Sequence, residues 1–335
     1  MPETGKVDHE FFRNYIAPRL GATRSDVQIG PTHGVDFGTV QVDDSVLVVA
    51  TDPISILPEL GFARAGWYAI QFALSDVAVS GLAPSHLALS FSLPPELTDE
   101  QFDRLWGAIH DECRDLGVAI VTGHTARYDG CQFPWVGGAT AFALGDPDEI
   151  VTPAGANPGD YVLITKGPAV ETTGLLTTLF PEKIPVEQPI LERAQRLLDE
   201  TDVVRDALTA SAAGGVTAMH DATEGGLLGG LFELSSAAGV KLDIDSERVP
   251  TMAGVEDVCD ALDMDPWTAG TGATLLITVE PKSVDAVVRA LEDRETPVGV
   301  AGRVESGEGV LLDGVQQSPP DGDSSWPVYE RLLEN

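Results

Sequence analysis

Three aspartates stand in surroundings that solvent-facing acids do not usually have. Asp36 lies in "HGVDFG", Asp52 closes the apolar run "VLVVATDP", and Asp76 sits in "FALSDVAVSG" beside Leu74, Val77, Ala78 and Val79. Asp76 is the most telling. It falls toward the C-terminal end of a helical pattern, where its charge opposes the helix dipole, and its neighbours supply no cation. A divalent cation compensates such a charge. Three carboxylates delivered from separate strand and helix ends suit Mg²⁺, which takes oxygen ligands and usually binds together with substrate phosphates. Taken singly, each acid reads equally well as a cap or turn residue; together they point to a metal.

A second stretch, "TGHTARYDG" from Thr122 to Gly130, comes after the buried run "GVAIV" and reads as a loop. His124 suggests a metal or a proton shuttle, and Gly123 beside Thr125 suggests a phosphate. The residues leave these open. Arg127, one of few cations, reads either as a group that stabilises developing negative charge or as a surface ion pair. In "KGPAVETTGLL", Thr172, Thr173 and Gly174 lie in a turn entering a helix, where backbone N–H groups favour a phosphate, although such turns are also common structural devices. No G-K-[ST] is present after it, so this is not a Walker A loop. "HDATEGGLLGGL" and "AGTGATLL" add two more glycine-rich turns, which imply close backbone approach.

The elements that must position these groups alternate. Strands are expected on both sides of Asp43-Asp44, over "PSHLALSFSL", at 118–122 and over "FPWVGGATAFALG". A helix spans "ARAGWYAIQFALSDVAVSG", and another opens at Thr98 with Gln101 as a capping box and Phe102, Leu105, Trp106 and Ile109 on one face. The Pro- and Gly-rich "GDPDEIVTPAGANPGD" marks a boundary, giving domains 1–150 and 151–335. The second begins with the strand "YVLITKG" and the loop "PAVETTG". Helices are expected near 188–199 and 202–212, over "GGLLGGLFELSSAAG" and from Pro281. Strands are expected over "VTAMHD", "VKLDI", "ATLLITV" and "PVGVAGRV". The tail "QQSPPDGDSSWPVYERLLEN" reads as a loosely packed arm.

The chain of 335 residues is 43% hydrophobic, enough for packed cores, yet carries 53 acids against 20 lysines and arginines, a formal charge of −33. Contact with bare nucleic acid or an anionic membrane is repelled. With only five lysines and acids spread along the chain, the surface reads as halophilic, suited to a salt-rich cytoplasm that screens self-repulsion. Cys113, Cys131 and Cys259 show neither disulfide nor zinc spacing. No apolar signal core or membrane-length run is present, so the expected location is cytoplasmic.

Taken in order, "GVDFG", "TDP", "SDVAVSGLAP", "TGHTARYDG", "DATEGGL" and "AGTGATLL" resemble a family of ATP-dependent enzymes. It includes aminoimidazole-ribotide synthetase, thiamine-monophosphate kinase, selenophosphate synthetase and the HypE-type hydrogenase-maturation proteins. The run from Asp221 to Val279 is most similar to the hydrogenase-maturation branch. The resemblance implies an α/β (α+β) chain with two PurM-like domains: an N-terminal β-sheet or barrel domain with helices that pairs in a homodimer, and a C-terminal α/β sandwich. ATP and Mg²⁺ would lie along the dimer interface, with Asp36, Asp52 and Asp76 as metal ligands, Gly123–Thr125 beside the phosphates and Asp221 on the active-site side of the second domain. It also implies phosphoryl transfer that activates an amide, carbonyl or phosphate-acceptor oxygen of a small-molecule substrate, and a maturation partner protein. A thiamine-monophosphate-type kinase and a nucleotide-binding maturation factor with little turnover are the alternatives. This sequence departs from the pattern at His124, which replaces an acid, at Ser75, where asparagine is common, and at Glu224, where the hydrogenase-maturation branch has arginine. It ends "YERLLEN", without that branch's carbamoyl-carrying cysteine, so the branch's dehydration of a terminal thiocarbamate is not expected on this tail.

Overall fold

The computed structural model describes residues 5–7, 9–32 and 34–334. The chain divides into two compact units. The first comprises Ser25–Gly30 and Asp36–Ile150. The second comprises Val151 onward together with the described residues before Ser25 and the segment Pro31–Val35. The composition shift near residue 150 therefore coincides with a change of unit, while the N-terminal segment groups with the C-terminal half.

The first unit is built on six strands: β1 (Val27–Ile29), β2 (Gly38–Val42), β3 (Ser45–Ser55), β4 (His86–Leu93), β5 (Ala119–Arg127) and β6 (Trp135–Gly145). Their order is β1-β2-β3-β6-β4-β5. The β2–β3 hairpin turns at Asp43-Asp44, with Asp43 at φ 50°. Only β4 and β5 run parallel, which requires a crossover connection; helix α3 (Asp99–Leu116) supplies it. That helix opens with the expected capping box, Gln101 N donating to Thr98 Oγ1 at 3.2 Å and Thr98 N to Gln101 Oε1 at 2.9 Å. Phe102 and Trp106 stack with centroids 5.9 Å apart, and Leu105 and Ile109 are fully buried.

The single helix expected before Gly81 is two. Helix α1 (Phe62–Ala69) and helix α2 (Gln71–Ala78) are separated at Ile70. Gly66 lets α1 meet α3: a Cβ there would lie 2.3 Å from the Leu105 carbonyl oxygen. Helix α2 packs on β3 and β6, burying Ala73, Leu74 and Val77.

The loop expected after residue 122 is strand. β5 continues to Arg127 because it pairs in register with β4, His124 opposite Ser90 and Thr125 opposite Phe91. Gly123 is needed for this approach, since a Cβ would lie 2.6 Å from the Leu89 carbonyl oxygen.

The second unit carries β7 (Tyr161–Thr165), β8 (Val216–Ala222), β9 (Val240–Ile244), β10 (Thr274–Val279), β11 (Val298–Ser306), β12 (Gly309–Leu312) and β13 (Val315–Gln316) in the order β13-β12-β9-β11-β7-β10-β8. Its helices are α4 (Val170–Leu179), α5 (Gln188–Arg196), α6 (Val203–Ala213), α7 (Gly226–Ala238), α8 (Val255–Leu262), α9 (Val284–Asp293) and α10 (Ser325–Glu334). Leu227, Leu231 and Leu234 of α7 pack on Val162, Leu242 and Leu276 of the sheet.

The tail is not a loose arm. Helix α10 buries Val328 and Leu332 in the cluster formed with Val170, Val258 and Leu262. Its Val-x-x-x-Leu spacing supplies the apolar stripe that a short helix needs in order to dock. No described helix is long and apolar enough to cross a membrane.

Candidate active site

In the first unit, Asp52 belongs to an alternation. Val46, Val48, Ala50 and Ile54 are buried on one face of β3, and a strand repeats its faces every second residue, so half-buried Asp52 shares that inner face. Helix α2 packs on β3 and carries Asp76, also half-buried. Asp36 is likewise half-buried, two residues before the Gly38–Val49 pair, which directs it toward the Thr51–Asp52 end of β3. Thr51 fixes this end by donating to the Ala139 carbonyl at 3.0 Å. Strand β3 and the helix packed on it thus carry Asp52 and Asp76, and Asp36 leads into the strand paired with β3. They do not form a set with ligand atoms all within 4.8 Å of one another.

On exposed β5, His124 Nε2 and the Tyr128 hydroxyl are 3.0 Å apart, with nearly parallel rings. Arg127 takes the surface-pair alternative: Nη2 lies 2.8 Å from Asp99 Oδ1 and also donates to the Leu97 carbonyl at 3.1 Å. Asp99 is 91% exposed, so the pair contributes about 0–1 kcal/mol; it ties the end of β5 to the first turn of α3.

In the second unit the expected phosphate turn at Thr172–Gly174 lies inside α4. Thr172 N donates to Gly270 O at 3.3 Å and Thr173 N to Ala169 O at 3.0 Å. A Cβ at Gly174 would lie 2.6 Å from Leu198 N, so this glycine serves helix packing. The Thr172 and Thr173 amides thus already have backbone acceptors.

The other two glycine-rich turns do offer outward amides, and carboxylates of the chain meet them. Gly225 N donates to Asp323 Oδ2 at 3.1 Å, Gly270 N to Asp323 Oδ1 at 3.3 Å, and Gly272 N to Glu171 Oε2 at 2.7 Å. Gly225 has φ +83° and precedes α7 as its cap. Glu224 accepts from Trp326 Nε1 at 2.7 Å and from Lys6 N at 2.9 Å. Asp221, near the end of β8, is 2% exposed, and its neighbour His220 pairs with Glu233 through Nε2 at 2.9 Å.

Residues 34–156 match the N-terminal domain, and residues 157–313 the C-terminal domain, of AIR synthase related proteins. The chain belongs to the AIR synthase related protein family. A putative hydrogenase expression/formation protein of Methanocaldococcus jannaschii is 25% identical over 304 residues, 88% of this chain and 85% of that protein. The thiamine-monophosphate kinase of Aquifex aeolicus is 25% identical over 300 residues, 85% of this chain and 90% of the kinase. The crystal structure of HypE from E. coli, described as a hydrogenase maturation protein, aligns at TM-score 0.71 and 26% identity, over 84% of this chain and 88% of HypE. The AIR synthase related architecture is the two-domain, PurM-like α+β fold expected from the motifs.

In this AIR synthase related chain, Asp323, Glu171 and Trp326 make contacts at the glycine-rich turns that the sequence did not point to. A signal for Asp323 was present: "DGDSSWP" places an aspartate two residues before a helix start, an N-cap pattern. Nothing in the sequence tells that its carboxylate also reaches Gly225 and Gly270, which are 98 and 53 residues away.

Proposed function

We propose that this protein is an ATP- and Mg²⁺-dependent enzyme that transfers the phosphoryl group of ATP to an oxygen of a small substrate, an amide, carbonyl or phosphate-acceptor oxygen. The observation that carries this reading is the placement of Asp52 on the inner face of β3 and Asp76 on the helix packed against that strand. The family match supports it. Asp36, Asp52 and Asp76 form an all-oxygen donor set suited to Mg²⁺, and half-burial lets them reach both ion and solvent. The ion would neutralise charge on the transferred group.

Within that reading, His124 and Thr125 on β5 flank the phosphates, with His124 oriented by Tyr128. Asp221 lies on the substrate side of the second unit. Arg127 reaches a transferring group only by leaving Asp99. The exposed side chains of β5, among them Val121, and Tyr128 just beyond the strand fit a homodimer contact along this free edge.

A kinase reading of the thiamine-monophosphate type stands beside it, because the Aquifex kinase matches at the same identity as the hydrogenase-related protein. Thiamine monophosphate that accelerates ADP release would select it.

The test is calorimetric titration of ATP in concentrated KCl with and without Mg²⁺, on the native chain and on the Asp52→Asn/Asp76→Asn double variant, with an ADP assay on the same samples. Mg²⁺-dependent binding lost in the double variant supports the site. Binding untouched by the double substitution removes it.

A further inference from the structure

Strand β9 alternates. Leu242 and Ile244 are buried in the cluster packed with α7, so Lys241 and Asp243 stand on the opposite face of the sheet. On that face one row runs across three strands: Arg303 of β11 lies opposite Asp243 of β9 on one side and opposite Tyr161 of β7 on the other. Directly opposite residues stand about 4.5–5.5 Å apart at Cβ, close enough for an aspartate and an arginine to pair. These two do not pair. The Arg303 guanidinium lies over the Tyr161 ring, 3.4 Å from its centroid, and donates to the Tyr161 hydroxyl and to the Gly159 carbonyl at 3.5 Å. The other cation of this face, Lys241, is held by Glu305 at 2.7 Å, and its attraction to Asp243 is the least of the influences on it. Among the described residues no cation lies within ion-pairing distance of half-buried Asp243.

Asp243 instead lines a cavity of about 350 Å³. Strand β11 makes room for it. Val300 pairs with Leu163 and Gly302 with Val162, so Ala301 is an extra residue, a bulge that interrupts the ladder at the cavity wall. Bulges of this kind re-aim side chains beside functional sites.

Two further carboxylates line the cavity, and the chain already engages both. Asp313 accepts from Ser246 N at 2.8 Å and from Ser246 Oγ at 2.7 Å, and Asp245 pairs with Arg248 Nε at 2.9 Å. That contact leaves the Nη fork of Arg248 for another acceptor. The cavity therefore combines one carboxylate without a counter-charge and one guanidinium with donors to spare. A small molecule carrying both charges satisfies both, and a cavity of this size leaves room for a side chain.

We propose that the cavity binds a free α-amino acid, with its ammonium group on Asp243 and its carboxylate on the Nη groups of Arg248. The site lies in the second unit alone, goes beyond phosphoryl transfer and stands whether or not ATP binds the acids of the first unit. A zwitterion has no net charge for the −33 field of the chain to gather, so its binding reports the local pair of charges.

The test uses three matched probes at constant KCl: L-alanine, which carries both charges, ethylamine, which carries only the cation, and propionate, which carries only the anion. Binding is followed by the amide NMR shifts of residues 243–248 and 300–303. In the native chain L-alanine is expected to bind at least about tenfold tighter than either fragment, a comparison that does not depend on any variant folding. Asp243→Asn is expected to weaken L-alanine and ethylamine at least about tenfold without weakening propionate, and Arg248→Ala to weaken L-alanine and propionate while sparing ethylamine. Glu308→Gln, which removes an exposed acid of the β11–β12 turn outside the cavity, is expected to bind all three as the native chain does. Either fragment binding as tightly as L-alanine overturns the proposal. So do equal losses in Glu308→Gln and Asp243→Asn, or the absence of any shift at these amides.

Discussion

Lys166 and Asp206 form an ion pair sealed inside the second unit: Nζ lies 2.8 Å from Oδ2, with the side chains 4% and 1% exposed. Asp206 also receives Arg294 Nε at 2.7 Å and the Thr296 hydroxyl at 2.7 Å. Removing one member of a buried pair leaves the remaining charges without compensation, which typically costs about 3–5 kcal/mol. Asp206→Ala is expected to lower stability by this amount in urea unfolding at fixed KCl. A loss below about 1 kcal/mol, the scale of a surface pair, would show that water reaches Lys166.

Docking of the tail makes a second expectation. Leu332 is 5% exposed in a cluster of aliphatic side chains. Leu332→Ala should cost about 2–5 kcal/mol through lost burial and the cavity left behind, whereas Leu333→Ala, at a position 57% exposed, should cost little. Equal unfolding midpoints for the two variants would return the tail to the status of a loose arm.

Gly123 offers a test that separates framework from chemistry. Gly123→Ala forces β5 away from the Leu89 carbonyl, an overpacking strain of about 1–3 kcal/mol. His124→Ala, at an exposed position, should leave the unfolding midpoint nearly unchanged. Thermal unfolding of both variants checks the contrast. A midpoint for Gly123→Ala equal to the native one would show that the strands separate freely.

Two cysteines predict a pH dependence. Burial pushes the Cys259 thiol from 9.0 up to about 12, against a lowering hydrogen bond with Thr173 and with Asp260 and Asp265 adding to the rise. Burial and then Glu112 push Cys113 to about 11. A folded-state value above the unfolded one means that the native chain keeps its proton where the unfolded chain has lost it. The contribution is fully present below pH 9 and is lost as pH rises from 9 toward 12. The stability difference between the native chain and Cys259→Ala should therefore shrink across that range in urea unfolding. Thiol reagents at pH 8 should modify partly exposed Cys131 first; rapid modification of Cys259 in the folded chain would contradict its burial.

Much of the framework was legible because local chemistry and tertiary environment agreed. Thr98 and Gln101 announced their helix, and the apolar run that ends at Asp52 announced β3. The missed features have a shared cause. Gly123–Arg127 lacks an apolar alternation because β5 is an exposed edge, held in strand form by β4 rather than by its own pattern. Thr172–Gly174 reads as a turn because threonine and glycine are poor helix formers, yet packing against Leu198 makes it helix. The three acids stand out in the sequence by their apolar neighbours, whereas the Asp323 contacts depend on two distant glycine amides that no local pattern encodes.

The parallel pairing of β4 and β5 has a consequence for how this edge opens. β5 has one neighbour in the sheet, and the chain returns to it only through the 18 residues of α3. Helix α3 is in turn held to α1 at Gly66, where no side chain intervenes. The strand bearing His124 is therefore coupled to its crossover helix, and fraying alone would forfeit the whole β4 ladder on that side. Its amides report the opening of a β4–α3–β5 foldon, so the margin of the molecule that looks most exposed borrows its rigidity from a helix contact away from the strand.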